Sequence, residues 1–180
     1  MPARRRGPRS LQAIRAERAE IEDPTLVMGA ALRYLESRAR STAEVRGRLV
    51  MHGYRPDLVE NCLARLTELG MLDDGAFARA WVEARDRARP RGERALRAEL
   101  HQKGVDRPIV DTVLEDRADT SDDPDRIGAD EDAARRLLTR NARALARIAD
   151  PRARRQRAYA LLARHGFDPQ LAGELVRALD

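Results

Sequence analysis

The sequence predicts an all-α protein made of three tandem three-helix modules in an elongated, curved array. Three observations carry this. Apolar residues recur at helical spacing through most of the chain. Helix-starting and helix-stopping residues punctuate it at short intervals. One short phrase returns three times: "HGYRPDLV" from His52, "KGVDRPIV" from Lys103 and "HGFDPQLA" from His165.

The first 24 residues read as a basic disordered tail, rich in arginine with Pro2, Gly7 and Pro8, with Leu11 to Ile21 helical only in passing. The first module spans residues 25–70. Leu26, Val27, Ala30, Ala31, Tyr34 and Leu35 share one face of its first helix. Ser41-Thr42-Ala43-Glu44 is a capping box, so a second helix starts near Thr42 and carries Val45, Leu49 and Val50. Gly53 stops it, because glycine takes the left-handed conformation of a helix end without a Cβ clash. Pro56 suits the first turn of a third helix, with Leu58, Val59, Cys62, Leu63 and Leu66 along it.

The second module spans 71–118. Asp73 or Asp74 caps a helix bearing Phe77, Trp81 and Val82; Leu96 and Leu100 lie on the next, and Asp106 caps the third. Residues 119–129 form an acidic linker. The third module spans 130–180, with Asp150-Pro151 and Asp168-Pro169 opening its last two helices. Aligning Gly53, Gly104 and Gly166 puts Leu49, Leu100 and Leu162 four residues before them, and Tyr54, Val105 and Phe167 one after. Each quoted phrase is therefore the joint between the second and third helix of a module, and each module mainly touches its neighbours.

Of the 180 residues 42% are hydrophobic and only 3% aromatic, so the core is leucine, valine and alanine. The net charge of +5 and pI near 10.2 point to an anionic partner: DNA, RNA or an acidic protein surface. Lys103 is the only lysine, so the positive charge is almost all arginine. Cys62 stands alone in an apolar pattern and reads as a core thiol. No apolar run follows the basic MPARRRGPRS and none approaches a membrane span, so the expected compartment is the cytoplasm and no membrane partner is expected.

No catalytic constellation stands out, and neither a metal site nor a cofactor is expected. His52 and His165 directly precede joint glycines, where a histidine complements the helix dipole. Motifs for zinc, redox, phosphate-loop or serine chemistry do not occur. The informative feature is basic. Arg85, Arg87, Arg89, Arg91, Arg94 and Arg97 cluster around the first joint of the middle module. Arg152, Arg154, Arg155 and Arg157 occupy the equivalent place in the third, and Arg46 and Arg48 lie near it in the first. Similar stacking of the modules would align these clusters in one basic stripe. The candidate contact set is Arg46, Arg48, Arg85, Arg87, Arg89, Arg91, Arg94, Arg97, Lys103, Arg154, Arg155 and Arg157. The third helices are mostly apolar or acidic outside their arginines, which favours contact with backbone phosphate or acidic surface over base readout.

Three stretches resemble the RecX family of recombination regulators. "LTELGMLDDGAFARAWVEAR" carries its pattern at Gly70, Leu72, Asp73, Asp74, Phe77 and Ala78. "GERALRAELHQKGV" carries it at Gly92, Arg94, Glu99, Leu100, Lys103 and Gly104, and "YALLARHGFDPQLAGELV" lies near the C-terminus. One position departs: the family often has an aromatic before the glycine matched by Gly92, where this chain has Arg91. The resemblance implies a non-enzymatic, monomeric regulator of the RecA recombinase. It would bind the groove of the RecA–single-stranded-DNA filament and inhibit its ATPase, strand-exchange and co-protease activities, limiting the SOS response. Direct DNA contact is left open. The competing expectations are a non-specific basic DNA- or RNA-binding helical repeat protein and a scaffold for another protein.

Overall fold

The computed structural model describes residues 10–118 and 128–179. The expected tail up to residue 9 and nearly all of the acidic linker lie outside them. The described residues form ten helices and no strands: α1 (Leu11–Ala19), α2 (Pro24–Leu35), α3 (Thr42–Met51), α4 (Pro56–Glu68), α5 (Asp74–Ala88), α6 (Glu93–Gln102), α7 (Arg107–Ala118), α8 (Ala129–Ala146), α9 (Pro151–Arg164) and α10 (Pro169–Arg177). The chain divides into two compact units, Met1–Phe77 and Ala78–Asp180. The third expected module and the second from Ala78 onward thus share one unit.

The joints behave alike. Gly53, Gly104 and Gly166 all have positive φ. In each, the amide one residue later bonds back to the leucine four before the glycine: Tyr54 to Leu49 at 3.3 Å, Val105 to Leu100 at 3.1 Å, Phe167 to Leu162 at 3.3 Å. This is the glycine-dependent helix stop that satisfies carbonyls left over at a helix end. The flanking side chains are buried in all three, so the repeated phrase is both a stop signal and a core anchor.

In the first unit α2, α3 and α4 enclose Val27, Ala31, Val45, Leu49, Val59, Cys62, Leu63 and Leu66. Burying each large one contributes about 1.5–3 kcal/mol. Ser41 accepts the Glu44 amide at 3.1 Å, and the reciprocal half of the capping box is present. Asp73 caps α5 through the Ala76 amide, while Asp74 reaches back to the Thr42 amide at 2.8 Å. Leu26 and Val50 are about half exposed, so the buried stripes of α2 and α3 are narrower than their apolar patterns.

Residues 11–19, expected to be helical only in passing, form α1. Arg15 donates from Nε to the Met51 carbonyl at 2.7 Å, and Arg18 donates to the His52 carbonyl at 3.3 Å. A Cβ on Gly53 would lie 2.8 Å from the Arg15 backbone. The joint glycine therefore does two jobs, stopping α3 and letting α1 close onto its end.

The second unit repeats that device between modules. Gly92, just before α6, donates its amide to the His165 carbonyl at 3.0 Å. A Cβ there would sit 2.4 Å from the Gly166 carbonyl oxygen, and one on Gly166 would sit 2.5 Å from Ala95. Arg140 on α8 donates to the Ala88 and Arg87 carbonyls, closing the end of α5. Asp130 accepts the Glu93 amide at the start of α6 and also the buried guanidinium of Arg117 on α7.

Candidate partner-binding arginines

The middle cluster is largely consumed inside the fold. Glu99 on α6 is its hub. It accepts the Trp81 indole N–H at 2.8 Å and Arg85 Nε at 2.6 Å, and it lies 3.4 Å from Arg91 Nε. Arg85 stacks on the Trp81 ring at 4.5 Å, and the Lys103 ammonium lies 5.0 Å from the same ring. Arg97 bonds Asp111 and Glu93, and those bonds hold its pKa above the ordinary guanidinium value. Arg94 reaches Asp168 at 3.4 Å. These arginines join α6 to α5, α7 and the start of α10.

Arg87 and Arg89 are exposed. Arg87 has Glu83 only at 3.9 Å, and Arg89 has no ion pair among the described residues. In the third module Arg157 is exposed and Arg155 half-buried. Arg154 borders a hollow with Arg135, Leu138, Leu145, Leu175 and Leu179. In the first module Arg46 forms a two-pronged pair with Glu60, at 2.7 and 3.1 Å. Arg48 is exposed, with its guanidinium 5.4 Å from the Tyr34 ring. Most of the expected contact set therefore falls into two groups. Arg46, Arg85, Arg91, Arg94 and Arg97 are engaged by carboxylates, whereas Arg48, Arg87, Arg89 and Arg157 present charge outward.

Sequence clustering passed over one deeply buried cation. Arg117 is 9% exposed and bonds Asp86 at 3.0 Å and Asp130 at 2.6 Å. Burial works against its charge, and the two aspartates outweigh burial, so its pKa lies above the ordinary value. No signal in its neighbourhood marks it, because its partners lie 31 and 13 residues away.

Among the described residues no His, Cys, Asp or Glu group has metal-binding geometry, and no helix is long and apolar enough to cross a membrane. Cys62 is buried beside Met28, and burial pushes its thiol up. His165 Nδ1 lies 2.8 Å from the Leu161 carbonyl, the helix-end role expected of it.

Comparison with known proteins fits this architecture. Family profiles described as the first and second three-helix domains of RecX match residues 28–66 and 73–114. A protein named "Regulatory protein RecX" from Mycobacterium avium (strain 104) is 38% identical over 147 residues, covering 82% of this chain and 80% of its own. The chain belongs to the RecX family. A regulatory protein RecX from Mycobacterium tuberculosis (strain ATCC 25177 / H37Ra) is 39% identical over 150 residues, covering 82% of each chain. A crystal structure of RecX from Lactobacillus salivarius superposes with a TM-score of 0.70 at 20% identity, covering 88% of this chain and 97% of that one. These comparisons bear out the all-α class and the tandem three-helix domains of the RecX family.

Proposed function

We propose that this protein regulates a RecA recombinase by lying along the groove of its DNA filament, inhibiting ATP hydrolysis, strand exchange and co-protease activity. The observation that carries the reading is the similarity to proteins named regulatory RecX over four-fifths of the chain. The physics is compatible with it. Several small modules presenting arginines such as Arg87, Arg89 and Arg157 engage a repeating anionic surface through many weak contacts, and linkage multiplies these into avidity. The protein performs no reaction of its own in this reading, works in the cytoplasm as a monomer, and needs no cofactor.

The test is the single-stranded-DNA-dependent ATPase of the cognate RecA, titrated with this protein. Inhibition at amounts far below those that coat the DNA is expected. Inhibition only at coating amounts would replace this reading with plain nucleic-acid binding. Arg87→Glu with Arg89→Glu should weaken inhibition without changing helix content.

A further inference from the structure

A second set of arginines lies in the first unit, and it has found no acids. Arg18, Arg33, Arg48 and His52 surround a pocket of about 220 Å³ walled by Tyr34 and Tyr54. No lining residue is acidic, and no described carboxylate pairs with any of the three guanidiniums. Aromatic rings lie beside two of them instead. Arg18 lies 5.4 Å from the Tyr54 ring centre, Arg48 lies 5.4 Å from that of Tyr34, and Arg40 stacks on Tyr34 at 4.2 Å.

Like charges gathered around one space repel, so the arrangement favours an anionic counter-charge. His52 registers the field: burial and the neighbouring Arg48, Arg18 and Arg15 hold its pKa below the ordinary histidine value. Capping explains part of the cluster, since Arg15 and Arg18 serve carbonyls at the end of α3. It does not explain Arg33 or Arg48, which make no such bond. Forked guanidinium donors converging on one space match the oxygens of a phosphate group. Stacking and the Arg18 hydrogen bond order two of them in advance, which lowers the entropy lost on binding. Because a water occupies about 30 Å³ in the liquid, the pocket has room for an anion with part of its hydration shell.

We propose that this pocket is a phosphate site that grips the backbone of a single nucleic-acid strand. The strand, rather than a free anion, follows from the rim. Arg33 and Arg48 are exposed, so the chain on either side of the gripped phosphate passes out over them. The proposal concerns the protein alone and stands or falls separately from regulation of RecA.

The three histidines make the test direct. The full chain is titrated by NMR through His52, His101 and His165, with a short oligothymidylate, inorganic pyrophosphate or a glutamate-rich peptide. A phosphate beside His52 favours its charged form, so the oligonucleotide should raise its pKa and leave His101 and His165 unmoved. Pyrophosphate should compete. Arg33→Gln with Arg48→Gln should abolish the His52 response and weaken oligonucleotide binding about tenfold or more, as loss of charge-assisted hydrogen bonds predicts. Arg87→Gln with Arg89→Gln removes equal charge elsewhere and should preserve the response. Circular dichroism checks that both pairs fold. Oligonucleotide binding that leaves His52 unmoved, or a response surviving the Arg33/Arg48 change, overturns the site. A response to pyrophosphate alone overturns the strand. A response to the peptide alone overturns phosphate altogether.

Discussion

Each unit holds an arginine cluster, and the two clusters are of opposite kinds. In the second, Arg85, Arg91, Arg97 and Arg117 are turned inward onto carboxylates and tie helices together. In the first, Arg18, Arg33 and Arg48 face a shared space with tyrosines for company and no acid. Arginine density alone does not separate these roles. The presence of a carboxylate on a facing helix does.

The contrast is sharpest at Arg117. Arg117→Ala leaves Asp86 and Asp130 facing each other without a cation, and should destabilise the second unit by about 3–5 kcal/mol. Chemical denaturation reads this, and a loss under 1 kcal/mol would mean that water replaces the guanidinium. Arg85→Ala, at a partly buried pair, should cost about 1–2 kcal/mol. Removing the first-unit pair, Arg33→Gln with Arg48→Gln, should change stability by no more than about 0.5 kcal/mol, as for ordinary surface positions. A large loss there would erase the distinction between the units.

Acid separates them in a subtler way. The folded pKa of His52 lies below its ordinary 6.5, so the unfolded chain takes up that proton first. First-unit stability should therefore decline as pH falls from above 6.5 through the lowered value. Asp111, held below 3.8 by Arg97, should matter only in stronger acid, as pH falls through its own lowered value. Denaturation midpoints across this range check both, and His52→Asn should flatten the first slope.

The joints were legible because a glycine, an apolar neighbour and a capping residue are local signals that need no tertiary context. Gly53, Gly104 and Gly166 have the positive φ that their spacing implies. The arginine pairings were not legible. Arg85 meets Glu99 fourteen residues on, and Arg140 meets Ala88 fifty-two residues back, so only the packing of the helices brings them together. Helix α1 was obscured for a related reason. Its own sequence is polar, and what holds it is the exposed end of α3 and the missing side chain of Gly53.

The start of α6 has a consequence for how the chain matures as it leaves the ribosome. At the position equivalent to Ser41, which caps α3 from within its own module, the second module has Gly92 and no side-chain cap. The Glu93 amide waits for Asp130, and the end of α5 waits for Arg140. The first helices can therefore settle during synthesis. The middle three remain unfinished until the next stretch has emerged, and a translational pause between them would hold the nascent protein half-built.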